Sequence, residues 1–421
     1  MSHFDDLLAA LSVPPQLARQ VAQRFADAMA AAHDRCGLKM LDSHFQPPCA
    51  QEQGEALALD FGGTNLRFFL IRLNNRSFQV LKEKVVSLRP GHGGWNMASE
   101  AVDGEQLFDF IAAQLQEFAA PDRTYRLGHC FSFPFRQLSR NSGLLLEWTK
   151  EIKTRGVVGQ DVNHLLSQAL QRRGLEYIQP AAILNDTVAT LLCAAYLDND
   201  ADIGSICGTG YNACFRDLSG RIINIEAGNF FSDILPVNRY DLELDRRSHN
   251  RGQQRLEKMV SGAYLGELFR LMLVDLHLCP DLCSSQASIS ERFAAPNSLD
   301  SRLISDLLSG GDSLLAPGGA MPDPAEQQRL LRLAQALAAR SARLIAATYA
   351  GIIQYLDPRW EYRHVISVDG SLYEKMPLFA DHIRTAIDEI GAERAYRAET
   401  RFMKDSSGLG AALAALMEAP Q

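Results

Sequence analysis

The chain has 421 residues, 47% of them hydrophobic and 22% charged, too long for one compact core and typical of a globular protein of two or three domains. With 42 Lys and Arg against 50 Asp and Glu, its net charge is −8, so no basic excess exists to neutralise a nucleic-acid backbone. The most apolar long stretch, 330–356, is interrupted by Arg332, Arg340 and Arg343, so no membrane insertion is expected. Asp5 and Asp6 near the start, without a basic segment, do not make a signal peptide. Eight cysteines are scattered, several within apolar runs (Cys130, Cys193, Cys207, Cys214), as expected of a chain kept in a reducing, cytoplasmic compartment.

In chain order, Phe4, Leu7, Leu8 and Leu11, then Leu17, Val21, Phe25 and Met29, recur at helical spacing and predict amphipathic helix over the first 35 residues, broken at Pro14-Pro15. Residues 55–59, 66–73 and 78–86 read as strands joined by Gly62-Gly63-Thr64-Asn65 and Asn74-Asn75. A helix is expected over 107–118, a strand over 125–131, a helix over 162–172, a short strand over 181–184 and a helix from Asp186. The second half repeats this order: strands at 203–207, 212–215 and 222–225, with Gly208-Thr209-Gly210 after the first, then helices over 257–278 and 326–355 and a strand over 364–368 ending in Asp369-Gly370. Two halves of like order, each opening on a glycine hairpin, predict two related α/β domains around a cleft. Cys279 and Cys283, near His277, lack a fourth ligand, so no metal is expected there.

Three segments carry chemistry. In 59–67, the Gly62-Gly63 pair lets backbone approach a ligand closely, Thr64 and Asn65 add donors, and successive N–H groups can cradle an anion. Asp60, at the strand end, suits a magnesium ion held through water. Gly208-Thr209-Gly210 is a weak signal alone, but as the second of a pair it suits a polyphosphate clamped from both sides. Asn185-Asp186-Thr187, directly after an apolar strand, is a good helix cap; equally, a carboxylate at a strand end can take a proton from a hydroxyl that attacks a phosphoryl group.

Together these segments resemble the hexokinase family. The stretch 59–67 is similar to its LDLGGTNFR, Ser132-Phe133-Pro134 to its SFP, Trp148-Thr149-Lys150 with 156–162 to its WTK…GVEGxDV, Asn185-Asp186-Thr187 to its NDT and 208–214 to its GTGxNAC. Glu226, Leu256-Glu257-Lys258-Met259 with Ser261-Gly262, 368–373 and 404–412 continue the series in family order, over nearly the whole chain. The resemblance implies two α/β domains of the actin-like ATPase (ribonuclease H-like) type: residues 1–52 packing on the large domain, 53–186 forming the small domain with helix 407–421 returning to it, and 187–406 forming the large one. It implies transfer of phosphate from ATP to the 6-hydroxyl of a hexose, glucose being expected, with domain closure excluding water. Asp186 would be the base and Lys150 would offset charge on the transferring group. Ser132, Thr149, Lys150, Asn185, Asp186, Asn212, Glu226 and Glu257 would hold the sugar. Gly62, Gly63, Thr64, Asn65 and Arg67, with Thr209, Gly262, Gly370 and Ser371, would bind ATP, beside Asp60 and Mg²⁺. The partners implied are a hexose and a nucleotide, with the chain a monomer or homodimer. A non-catalytic hexose sensor on the same scaffold is the alternative; the intact base and phosphate loops favour the enzyme.

Three positions depart from the family pattern. Ala227 follows Glu226 where the family has Trp, Ala295-Pro296 stand where it often shows Thr-Lys, and Glu151-Ile152 replace Gly-Phe.

Overall fold

The computed structural model describes residues 3–31, 36–49, 51–63, 65–89, 95–149, 152–277, 293–311 and 324–418. Thr64, Lys150, Cys279 and Cys283 lie outside them.

The chain opens with α1 (His3–Ala10) and α2 (Pro15–Ala31). They part at the expected prolines, and Pro15 takes the first turn of α2, where its missing N–H costs nothing. There follow β1 (Leu41–Asp42), β2 (Gly54–Phe61), β3 (Asn65–Asn74), β4 (Ser77–Ser87), α3 (Gly104–Leu115), β5 (Tyr125–Phe131), β6 (Phe135–Ser139) and β7 (Ser142–Leu145). Next come α4 (Val162–Arg172), β8 (Ile178–Leu184), α5 (Asp186–Leu197), β9 (Ala201–Cys207), β10 (Tyr211–Arg216), β11 (Ile222–Asn224), α6 (Arg239–Arg247), α7 (Arg255–Val260) and α8 (Gly262–His277). The chain ends with α9 (Ser301–Leu308), α10 (Pro324–Leu356), β12 (His364–Asp369), α11 (Ser371–Lys375), α12 (Phe379–Gly391), β13 (Ala398–Phe402) and α13 (Ser406–Leu416). The helix expected over 257–278 is two helices: Ser261 is extended (φ −90°, ψ 154°) and ends α7, and Gly262 begins α8. The hairpin β6–β7 and helix α6 were not anticipated.

These elements form two compact units. Unit 1 comprises Met1–Met40, Ile206–Ala213 and Ile225–Phe402; unit 2 comprises Leu41–Ser205, Cys214–Asn224 and Met403–Gln421. The divisions fall within β9 and β10, whereas the sequence reading sets boundaries at 52, 186 and 406.

In unit 2 a five-stranded sheet runs in the order β4-β3-β2-β5-β8. The β2–β3 and β3–β4 pairs are antiparallel, while β2–β5 and β5–β8 are parallel. Parallel strands are stable when covered on both faces, and the residues of β2 and β5 meet that need. Leu57, Leu59, Phe61, Leu127 and Phe131 face a core completed by Leu107, Phe108 and Ile111 of α3 and Leu166 and Leu170 of α4. On the other face, α13 comes so near that a Cβ on Gly128 of β5 would lie 1.8 Å from the carbonyl oxygen of Ala411. α3 and α4 start at aspartate caps, Asp103 with Gln106 in a reciprocal capping box and Asp161 accepting from Asn163 and His164.

β6 pairs only with β7 among the described residues, and the other six strands form a sheet in the order β1-β11-β10-β9-β12-β13. Within unit 1, β12 and β13 are parallel, and α2 packs on α10 where a Cβ on Gly351 would lie 2.7 Å from the Ala22 carbonyl oxygen.

His129 of β5 is fully buried between the rings of Phe61 and Phe131. Its Nδ1 lies 2.9 Å from the Oδ1 of Asn163, and its Nε2 has no hydrogen-bond partner among the described residues. Burial drives its pKa down to about 4, against the opposing pull of the Asn163 hydrogen bond. The folded pKa lies below that of the unfolded chain, so the unfolded state takes up the proton first. The stabilisation is complete above about pH 6.5 and is lost as the pH falls towards 4, a change of about 3 kcal/mol over that interval. Urea midpoints measured at pH 7 and pH 4.5 are expected to show this loss. His129→Gln, which keeps a neutral donor, should flatten that part of the profile; an equally steep profile in the variant would refute the assignment.

Candidate active site

Parallel pairing decides what comes together in unit 2. Because β2, β5 and β8 point the same way, with Asp60 opposite Cys130 and Cys130 opposite Leu184, their C-terminal ends form one edge. Beyond that edge stand Gly62 and Gly63 after β2, Ser132 after β5, and Asn185 and Asp186 after β8. The N–H of Ser132 donates to the Phe61 carbonyl at 3.2 Å, tying the end of β5 to that of β2. Open α/β sheets hold ligands at this edge, outside the carboxyl ends of parallel strands.

Asn185 and Asp186 serve the helix as well as the site. Asn185 caps α5, its Oδ1 accepting from the Thr187 N–H at 3.0 Å and the Thr187 hydroxyl at 2.8 Å. Asp186 is the first residue of α5 and is half-buried, and its Oδ1 accepts from the Thr187 N–H at 2.9 Å. Burial pushes the Cys130 thiol well above its ordinary pKa, with the negative charges of Asp60 and Asp186 acting in the same direction. Burial likewise lifts Cys214 to about 12.

Ser132 sits between Phe131 and Phe133 in an aromatic cluster with Phe61 and Trp148; Phe133 and Trp148 meet edge to face, with ring centroids 4.9 Å apart. The Trp148 indole donates to the Thr154 carbonyl at 2.8 Å, so the ring beside Thr149 is fixed at both its apolar and its polar end. Asn65 begins β3. The Nη2 of Arg67 donates to Asp405 at 2.7 Å and to Glu83 at 3.0 Å. Burial opposes the Arg67 charge, but these two carboxylates outweigh it and raise its pKa.

Unit 1 gathers its predicted residues into two groups. In the first, Asn212 of β10 accepts through Oδ1 from the Ala227 N–H at 3.0 Å, and Glu257 of α7 accepts from the Tyr211 N–H at 3.0 Å. Glu226 is held in the left-handed region (φ 57°, ψ 50°), and a Cβ on Gly228 would stand 2.7 Å from the Tyr211 carbonyl and 3.0 Å from Cβ of Glu257. In the second, the N–H groups of Gly262 and Ala263 donate to the carbonyls of Gly208 and Thr209 at 2.9 and 3.0 Å. Gly370 (φ 125°) approaches Cys207 so closely that a Cβ would lie 2.5 Å from its carbonyl oxygen. Ser371 then begins α11. Thr209, Gly262, Gly370 and Ser371 therefore converge. Among the described residues no cluster of three or more His, Cys, Asp or Glu could hold a metal ion by itself.

The departures have structural settings. Ala227 is fully buried, and its N–H orients Asn212. Ala295-Pro296 lie in a loop clamped by a buried ion pair: Arg270 donates to the Phe293 carbonyl at 2.7 Å, and Glu267, which pairs with Arg270, accepts from the Asn297 N–H at 2.7 Å. Ile152 is buried in the unit 2 core. Asp405 as a partner of Arg67, and Ser406 as a partner of Thr190 in α5, were not legible in sequence, since these contacts span 338 and 216 residues.

The fold is α/β of the two-domain actin-like ATPase type, and the solved structures it matches place it among phosphotransferases. Family profiles described as Hexokinase match residues 3–196 and 202–417, and the chain belongs to the hexokinase family. It is 34% identical to the chloroplastic hexokinase-4 of Oryza sativa subsp. japonica over 97% of this chain and 87% of that one. A solved structure described as hexokinase superposes with a TM-score of 0.85 at 30% identity, covering 98% of both chains. The hexokinase from Schistosoma mansoni complexed with glucose gives 0.84 at 27% identity, covering 98% of both chains. As a member of this family the chain is an ATP-dependent hexose kinase. Among the described residues no helix is long and apolar enough to cross a membrane.

Proposed function

We propose that the enzyme transfers the γ-phosphoryl group of ATP to the 6-hydroxyl of glucose, in a reducing compartment such as the cytoplasm, where hexose 6-phosphate enters glycolysis. The observation that carries this reading is the shared edge of β2, β5 and β8, with Asp60, Ser132, Asn185 and Asp186 at the ends of three parallel strands. Asp186 takes the proton from the attacking hydroxyl as the oxygen–phosphorus bond forms, and ADP leaves. Ser132, Thr149, Lys150, Asn185, Asn212, Glu226 and Glu257 hold the sugar, since each hydroxyl buried without a partner costs about 1–3 kcal/mol. Gly62, Gly63, Thr64, Asn65, Arg67 and Thr209 hold the phosphates; Gly262, Gly370 and Ser371 line the nucleoside. Lys150 offsets charge on the transferring group.

The donor set fits magnesium: a hard cation takes oxygen ligands, and the carboxylates of Asp60 and Asp186 stand at the C-terminal ends of β2 and β8. Asp60 would hold the ion through water, and the ion would neutralise polyphosphate charge. The six cysteines of the described residues are free, which supports a reducing compartment. Glucose is favoured because the Schistosoma structure is complexed with it.

A panel of glucose, mannose, fructose and glucosamine with ATP and Mg²⁺, read as ADP release, tests the proposal. The highest kcat/KM is expected for glucose. A clear preference for another sugar would overturn the substrate assignment, and hexose binding without ADP release would favour a sensor.

A further inference from the structure

The start of α13 meets the first turn of α5 through hydrogen bonds that no role assigned above uses. Ser406, the first residue of α13, is fully buried, as is Thr190 of α5. Their hydroxyl oxygens are 2.8 Å apart. The Thr190 Oγ1 also lies 2.9 Å from the carbonyl oxygen of Asp186, one turn earlier in the same helix. A hydroxyl has one proton to give, and a carbonyl can only accept. Thr190 therefore donates to Asp186, and Ser406 donates to Thr190. The relay Ser406–Thr190–Asp186 runs in one direction and ends on the backbone of the residue read as the base.

Three more contacts make the start of α13 a fixed point. Asp405 holds Arg67 of β3 at 2.7 Å, just after the Gly62-Gly63 turn. A Cβ on Gly410 would lie 2.0 Å from the Ala189 carbonyl oxygen, so α13 rests on the α5 backbone with no side chain between them. A Cβ on Gly408 would lie 2.5 Å from the Phe69 ring of β3, so the first turn of α13 also rests directly on the sheet. α13 is thus seated directly on the element that carries Asp186.

We propose that Ser406, acting through Thr190, is a positioning residue for phosphoryl transfer. It sets the first turn of α5, and hence the Asp186 carboxylate, without touching substrate. The proposal rests on Asp186 being the base. Small displacements of a reacting group are costly to the chemical step, of order 10²-fold per ångström, whereas hexose affinity is spread over many ligands. The predicted signature is therefore a split between kcat and KM.

The test is a double-mutant cycle on the full chain with saturating ATP and Mg²⁺. Ser406→Ala and Thr190→Val are each expected to lower kcat about tenfold while KM for the hexose stays within about twofold. Because the two hydroxyls act in series, the double variant should be no slower than Thr190→Val alone. Thr190→Ser, which keeps the hydroxyl, should restore kcat, and Ser406→Ala carries the test if Thr190→Val does not fold. Melting temperature is followed throughout, since a purely structural role would lower it and leave kcat per folded molecule unchanged. Unchanged kcat in the folded single variants, or losses that multiply in the double variant, would overturn the proposal. Asp186→Ala in the same assay separates the two levels: if it stays active the base assignment fails, and if it alone is inactive only the relay fails.

Discussion

Asp186→Ala is expected to lower kcat by about 10²–10⁴-fold, the usual contribution of a general base, while the protein stays folded and still binds hexose. The expectation follows from where the residue sits. Asp186 is half-buried at the end of a parallel strand, and its carboxylate accepts a local hydrogen bond from the Thr187 N–H. Removing the carboxylate leaves Asn185 to cap α5, since that cap is made by a different side chain. The helix should therefore survive, and with it the packing of α5 against α13. Hexose binding, followed through Trp148 fluorescence, should weaken only modestly because Asp186 is one of several polar groups proposed to hold the sugar. Coupled detection of ADP release gives kcat. Turnover within a few-fold of the parent, in a variant with unchanged melting, would remove Asp186 from the mechanism.

The features that sequence made legible are those with local causes. Pro14-Pro15 separates α1 from α2 because proline cannot continue a helix, and the Gly62-Gly63 turn lies between β2 and β3 as expected. The break between α7 and α8 escaped because apolar spacing continues through Ser261; only its backbone is extended. Strand β1 is two residues long and exists through its pairing with β11, more than 180 residues away, so no periodicity announces it. The same holds within the site. Each motif was visible as a short string, yet the edge uniting Asp60, Ser132 and Asp186 comes from the parallel order of β2, β5 and β8. The resemblance to a family supplied the grouping that the strings alone could not. Arg67 shows the remaining gap: read as a phosphate ligand, it is bound to Asp405 and Glu83, carboxylates distant in sequence.

Asp241→Ala in unit 1 is expected to cost about 3–5 kcal/mol of stability, because it strips a buried charge of its partner. Arg340 of α10 is fully buried and Asp241 of α6 nearly so. They meet side by side, Nη1 to Oδ1 at 3.0 Å and Nη2 to Oδ2 at 2.6 Å, and Nη2 also reaches the Pro236 carbonyl at 2.9 Å. Asp241 has a second duty, accepting from the Asn238 N–H at 2.8 Å in the capping box that starts α6. The pair itself is not the source of the stability. Burying two charges costs nearly what their attraction returns, so the penalty arises from leaving one of them alone. It follows that Asp241→Leu combined with Arg340→Met should recover most of the loss, short of the cap. Urea denaturation of the single and double variants measures both quantities. A single variant that loses less than about 1 kcal/mol would mean that water reaches Arg340, and a double variant no better than the single would mean that the cap, rather than the stranded guanidinium, carries the cost.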